Sequence, residues 1–141
     1  MNSRQIWKSV WAVVAGVLAI VIGSTLVDIV LHVAGVYPAD GKLDDRLAVI
    51  ASSYRLVISI AGAWLTARLA PDQPLRHALI LGAVGTVLGV AGVVATWNLG
   101  LGPRWYPISL AVLAVPQCWF GGWLRERQLR NAAVVTVTES V

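Results

Sequence analysis

Two opposite charges lie inside apolar stretches of this sequence, and they are the residues best suited to chemistry. Asp28 lies in the first apolar stretch and Arg55 in the second. A charge in hydrocarbon costs roughly 2.5 to 3.5 kcal/mol at mid-span, so each side chain is expected to face the protein interior and to take a partner. Each is the other's obvious candidate. Asp28 is expected near the outer boundary and Arg55 about 12 Å inward from the start of its span at Leu47, a difference that helix tilt and a long side chain can close.

Further polar residues share a helix face with each charge. Ser24 and His32 lie one turn before and after Asp28, and Ser59 lies one turn after Arg55. At 100° per residue, each set falls within an arc of about 80°. The pattern predicts a polar intramembrane site. Three interpretations remain open: a structural pair that fixes helix packing, a site for an ion, a proton or a small anion, and charges that only reach for the membrane surface.

No pattern typical of catalysis or metal binding is recognisable. His32 is expected near the outer end of its span and His77 near the inner end of another, so they cannot share one iron. The lone Cys118 is expected to be a packed residue. The sequence has no phosphate-binding loop, no dinucleotide glycine motif and no nucleophile elbow. We therefore expect a protein that is not an enzyme and that holds no cofactor and no metal.

Four apolar segments must position the polar residues. The chain is 57% hydrophobic and 13% charged, which lies outside the usual globular mixture. About 20 mostly apolar residues span a bilayer as a helix. The sequence predicts spans at residues 8–35, 47–67, 75–97 and 105–124, joined by short connections rich in turn residues. The expected fold is an all-α, membrane-spanning antiparallel four-helix bundle in one domain, residues 1–141, with residues 131–141 left as an unassigned or disordered tail.

The basic residues predict the orientation of the bundle, because Lys and Arg in short loops resist translocation. They lie at the ends of apolar segments, which does not favour binding to nucleic acid. The lipid bilayer is the expected partner, with both termini cytoplasmic. Tyr37 and Tyr106 are assigned to the outer aromatic belt. Seven basic residues fall on one side, Arg4, Lys8, Arg68, Arg76, Arg125, Arg127 and Arg130, and three on the other, Lys42, Arg46 and Arg104.

A stripe of glycines predicts where the third span packs. Gly82, Gly85, Gly89 and Gly92 share one face within an arc of about 80°. Small residues let helices approach closely in lipid, so this face is expected to hold the bundle together or to form a homo-oligomer. In the fourth span, Gln117 follows a proline and is expected to hydrogen-bond between helices.

Three segments stand out in the second half of the chain: ARLAPDQPLRHA at 67–78, ATWN at 95–98 and RWYP at 104–107. They carry a resemblance to small bacterial four-span membrane proteins of unassigned function. It implies a bacterial inner membrane, the plasma membrane of the cell, and the four-span plan, and it carries no activity.

Two functions from different classes follow from these features. The first is a non-enzymatic small subunit that packs through its Gly-rich faces, with itself or with a larger membrane partner. The alternative is a small proton- or ion-coupled transporter whose polar site contains Asp28, His32 and Arg55.

Overall fold

The computed structural model, which describes residues 3–139, contains four long helices and belongs to the all-α class. Each helix is long and apolar enough to cross a membrane. The predicted fold class is therefore confirmed, and the chain is a four-span membrane protein. The helices are α1 (Ser3–Val33), α2 (Asp45–Leu69), α3 (Pro74–Thr96) and α4 (Trp105–Glu139).

Turn and capping residues define where the helices begin and end. The Asp44 carboxylate accepts a hydrogen bond from the Leu47 amide at 2.8 Å and so caps α2. Pro74 occupies the first turn of α3, where its missing N–H removes no helical hydrogen bond. Beyond α1, Gly35 has a φ of +70°, a left-handed conformation that glycine adopts without steric cost. These ends keep the connections between the helices short.

The end of α4 departs from the prediction, because the helix continues to Glu139 and the predicted span ends at residue 124. Residues 131–139 were expected to be unassigned or disordered, and they are helical. Residues 140 and 141 lie outside the described part. The physical reason is that a drop in hydropathy ends a span but not a helix. No proline or glycine follows Gly122, and the segment up to Arg130 is rich in strong helix formers.

The helices are not arranged around the bundle in their chain order. α2 packs against α1, α3 and α4, while α3 packs against α1, α2 and α4. Within the described residues, no Cα atom of α1 lies within 8 Å of one in α4, so these two helices lie on a diagonal of the bundle. α2 and α4 run parallel. Near the start of both helices, Trp105 Nε1 donates a hydrogen bond to Asp45 Oδ1 at 2.7 Å. Further along both, Trp64 Nε1 donates to Gln128 Oε1 at 3.0 Å. This arrangement leaves room for a cavity between α1 and α4.

The two ends of the bundle differ in their connections. The two-loop end carries the connections 34–44 and 97–104, and the termini end carries the connection 70–73 together with the start of α1 and the end of α4. A backbone hydrogen bond of 2.8 Å, from the Leu43 amide to the Leu101 carbonyl, joins the two loops of the two-loop end. This bond holds the two loops together over that end of the bundle.

Small residues bring the helices close together toward the termini end. A Cβ atom on Gly16 would lie 3.1 Å from the Gly62 carbonyl oxygen, and one on Gly62 would lie 3.2 Å from the Gly16 carbonyl oxygen. The backbones of α1 and α2 are therefore in contact, as expected where small residues mark helix interfaces in lipid. A cluster of buried residues adjoins this crossing and contains Ala63, Ala67, Ala78, Leu81 and Cys118.

The outer surface of the bundle is apolar at mid-height. Val57, Val87 and Val112 are 63%, 68% and 66% exposed in the isolated chain. In water such a surface would be unfavourable over this area, whereas a bilayer covers it with acyl chains. The surface therefore supports the membrane location that helix length and hydropathy indicate.

Candidate functional site

The two intramembrane charges form an ion pair between α1 and α2. Arg55 Nη2 donates to Asp28 Oδ2 at 2.6 Å. Asp28 lies five residues before the end of α1 at Val33, or about 7.5 Å along the axis. Arg55 lies ten residues after the start of α2 at Asp45, or about 15 Å. The length of the arginine side chain covers the difference in depth, and the structure thus brings together the two residues that the sequence singles out.

Two tyrosines, which sequence reasoning missed, complete the network around Asp28. The Tyr54 hydroxyl donates to Asp28 Oδ1, so both carboxylate oxygens have a partner. The Tyr37 and Tyr54 hydroxyls lie 3.2 Å apart. Tyr37 was expected in the outer aromatic belt and is instead 6% exposed, because the loop after α1 folds back over the end of the bundle. Tyr54 had one available signal: its ring lies well inside a span, away from the boundaries where most aromatic residues of this chain lie.

His32 lies beside the ion pair but does not bond the carboxylate. Its Nδ1 is 3.0 Å from the backbone carbonyl oxygen of Asp28, one turn earlier in α1. Its ring packs edge-on against Tyr37 with centroids 5.4 Å apart. His32 therefore reaches the network through an edge-on contact with the Tyr37 ring and a contact with the Asp28 backbone.

A cavity opens at the two-loop end, and the ion pair lies in its wall. This two-loop cavity has a volume of about 690 Å³, which is the size of many small-molecule sites. Asp28, Tyr54 and Arg55 line one side. The exposed fractions of the two charged side chains are 29% for Asp28 and 31% for Arg55. The lining also includes Thr96 at the end of α3 and Tyr106 in the first turn of α4, with Trp97, Asn98 and Arg104 from the connection between them.

A second, smaller cavity lies deeper between the four helices. This mid-bundle cavity has a volume of about 270 Å³, and Ser24, Ser59 and Gln117 line it together with Arg55. The predicted site residues therefore divide between two cavities. Asp28 and His32 line the two-loop cavity, Ser24 and Ser59 line the mid-bundle cavity, and Arg55 lines both.

Two polar atoms beside the mid-bundle cavity are buried without a hydrogen-bond partner among the described residues. They are Arg55 Nε and Gln117 Oε1. A buried polar atom without a partner costs about 1 to 3 kcal/mol. Gln117 was expected to bond between helices, and its oxygen makes no such bond here. A small polar group in the mid-bundle cavity would therefore find one hydrogen-bond donor and one acceptor beside it.

The glycine stripe of α3 packs against α4 over most of its length. A Cβ atom on Gly89 would lie 2.8 Å from Ala111 Cα, and one on Gly82 would lie 3.0 Å from Val115 Cα. A Cβ atom on Gly85 would reach Ala114 Cβ at 3.3 Å. Gly92 departs from the expected packing face: a Cβ atom there would meet nothing within 4 Å, because α3 and α4 separate at this level and the residue lines the two-loop cavity.

No family model, characterised protein or solved structure matches this chain. The bacterial setting that the resemblance implies therefore stays a prediction. The function has to be argued from the site itself.

The charges around the two-loop cavity determine which ligands it can hold. Asp28 and Arg55 neutralise each other, and Arg104 adds a further positive charge at the rim, where its guanidinium lies 4.9 Å from the centre of the Trp97 ring. Within residues 3–134, no three side chains of His, Cys, Asp and Glu gather in a way that could hold a metal ion. The arrangement can accordingly bind a small molecule through charge, hydrogen bonds and aromatic contact.

Proposed function

We propose that this chain is a non-enzymatic membrane protein that binds a small ligand in the two-loop cavity, beside the Asp28–Arg55 pair. One observation carries the proposal: the intramembrane ion pair lies in the wall of a cavity of about 690 Å³. An ion pair that only fixed helix packing could be closed off by side chains on all sides. About three-tenths of each charged side chain is instead accessible.

The composition of the cavity supports the same proposal. Small-molecule sites are concave and mostly apolar, with a few polar groups that orient the ligand. Here Leu88, Leu101 and Pro107 supply apolar wall, and Asp28 and Arg55 supply charged groups. Trp97 and Tyr106 add aromatic surface to the lining. A molecule of about drug size fits these dimensions.

The position of Arg55 suggests how binding could be linked to a change in the bundle. Arg55 lines both cavities, and its Nη2 is held by Asp28. A proton on Asp28, or an anion that competes for Arg55, would weaken this bond and free the side chain that lies at the boundary of the two cavities. This is the ligand-binding part of the transporter prediction. Coupling to a proton or ion stays a prediction.

The predicted subunit role depends on the glycine face of α3, which α4 of the same chain largely covers. Gly82, Gly85 and Gly89 face α4 within the same chain. A second copy or a larger partner would therefore have to use another face. Association with such a partner stays a prediction.

A binding experiment in lipid nanodiscs tests the proposal. The protein is placed in zwitterionic phosphatidylcholine and dialysed against three naphthalenes, which carry a carboxylate, a carboxamide or an aminomethyl group. At least one should bind saturably with one site per chain. Gly92→Leu should abolish this binding, because nothing lies within 4 Å of the added Cβ and the side chain enters the cavity. Ala91→Leu places the same leucine side chain at an exposed position of the same helix, and this variant should bind like the parent.

Two results would contradict the proposal. The first is that none of the three probes binds saturably. The second is that the Gly92→Leu variant binds a probe as well as the parent does. In either case the two-loop cavity is not a ligand site, and the ion pair is left with the structural interpretation.

A further inference from the structure

The charges of the two-loop cavity do not balance, and the excess is positive. Its charged wall residues are Asp28, Arg55 and Arg104. Asp28 has both oxygens engaged, by Arg55 Nη2 and by the Tyr54 hydroxyl. A cationic ligand would therefore have to displace Arg55 before it could reach the carboxylate. That exchange leaves a partly buried guanidinium without its partner, which is costly in a low-dielectric setting.

Arg104 is the charge in the wall that can meet a ligand without breaking the ion pair. It lies in the last connection, one residue before the start of α4 at Trp105. Its guanidinium lies over the Trp97 ring, and no carboxylate within the described residues forms a salt bridge with it. A guanidinium presents several N–H donors in a planar fork that matches a carboxylate or a phosphate. Stacking on Trp97 holds that fork near the cavity.

Aromatic side chains provide surface for the body of such a ligand. Trp97 directly follows the end of α3, and Tyr106 lies in the first turn of α4. Both line the cavity together with Tyr37 and Tyr54. Aromatic rings of this kind contact flat apolar molecules face to face or edge to face. Arg104 and these rings therefore line the same cavity, so one ligand can contact both.

We infer that the ligand of the two-loop cavity is an organic monoanion with a flat apolar body, whose acidic group is bound by Arg104. The inference rests on the proposed function, because it assigns a ligand class to the same cavity. Selectivity arises from the engagement of Asp28 by Arg55 and Tyr54, which leaves the cavity with a net positive charge. Asp28, the acidic residue of this site, therefore does not serve to bind a cationic ligand.

The three naphthalene probes separate the possible ligand classes, since they share one ring system and differ in charge. In phosphatidylcholine nanodiscs at neutral pH, the carboxylate should bind at least about tenfold more tightly than the amide or the ammonium compound. Arg104→Gln should reduce carboxylate binding by about tenfold, to the level of the amide. Arg104→Lys retains the charge and should keep most of the preference. Arg46→Gln removes an exposed arginine outside the cavity wall and should change nothing.

The outcomes distinguish this inference from the proposed function. Saturable binding of the amide or the ammonium compound, at least as tight as that of the carboxylate, would overturn the inference and leave a binding cavity in place. A carboxylate preference that survives Arg104→Gln would also overturn it, since another residue would then select the charge. Absence of saturable binding by all three probes would overturn both the inference and the proposed function.

Discussion

At the scale of single residues, Asp28 is held by two neighbours of different chemistry. Arg55 supplies a charge and a hydrogen bond at 2.6 Å, and Tyr54 supplies a hydroxyl donor. The two residues are adjacent in α2, so one turn of one helix provides both partners. A carboxylate with a charged partner and a second donor is well compensated in a poorly hydrated setting.

The paired charges lead to a prediction about stability. Asp28→Asn and Arg55→Gln should each lower the free energy of unfolding by about 1 to 3 kcal/mol, because each leaves a partly buried partner without its counter-charge. The double variant should lose less than the sum of the single losses. Thermal unfolding in mild detergent measures all four proteins. The exposed pair Asp40 and Lys42, 3.9 Å apart, provides a control cycle with Asp40→Asn and Lys42→Gln that should show little coupling.

Additive losses in this cycle would show that the contact contributes no coupling energy. If the coupling is strong and the double variant is stable, ligand binding then separates structure from function. A double variant that still binds the carboxylate probe like the parent would make the pair a packing device. One that folds and loses binding would assign the pair to the ligand site.

At the scale of helices, α3 and α4 are held by close backbone approach and by one hydroxyl. Gly82 and Gly89 leave room for the backbone of α4. Thr86, which lies between them, donates to the Ala111 carbonyl at 3.2 Å. In lipid no hydrophobic gain draws helices together, so close packing and such hydrogen bonds stabilise the pair. Toward the two-loop end the same helix face leaves its neighbour and lines the cavity.

This change along α3 leads to a matched comparison of two glycines. Gly89→Leu should destabilise the protein by about 1 to 3 kcal/mol or more, since an added Cβ would lie 2.8 Å from Ala111 Cα. Gly92→Leu should leave the thermal midpoint near that of the parent, because its Cβ meets nothing within 4 Å. Thermal unfolding in mild detergent provides the measurement. Equal effects of the two substitutions would show that the helices do not separate between these positions.

At the scale of the whole molecule, the bundle is tightly packed toward one end and open toward the other. Near the termini end, α1 and α2 touch through Gly16 and Gly62. At the two-loop end, the space between α1 and α4 is left to the cavity. The basic residues predict that this open end faces away from the cytoplasm. A ligand would then reach the cavity from the outer side.

Reporter fusions test that orientation directly. Fusions after Asp40 and after Gly102 should report the outer compartment, and fusions after Asp72 and at Val141 should report the cytoplasm. The paired use of an externally active and a cytoplasmically active reporter controls for expression. A cytoplasmic signal at the two-loop end would reverse the side from which the cavity is reached.

The sequence by itself determined the number of spans and the need of Asp28 and Arg55 for partners. Both properties depend on local quantities. A helix satisfies its own backbone hydrogen bonds, so length and hydropathy along one segment are enough to place it in a membrane. The cost of a charge in hydrocarbon likewise follows from its position within a span. The same reasoning placed small residues at helix contacts, which describes Gly82, Gly85 and Gly89.

Only the tertiary structure decided which neighbours those faces meet and where the packing fails. Tyr37 folds back to Tyr54, α2 lies parallel to α4, and Gly92 borders a cavity in place of a helix. A periodicity of 3.6 residues identifies a face but not its partner, because helix rotation, tilt and the path of the loops fix the contact. The cavity in particular belongs to no segment. It exists because neighbouring helices that pack closely toward the termini end separate toward the two-loop end, and the sequence of one helix does not specify that separation.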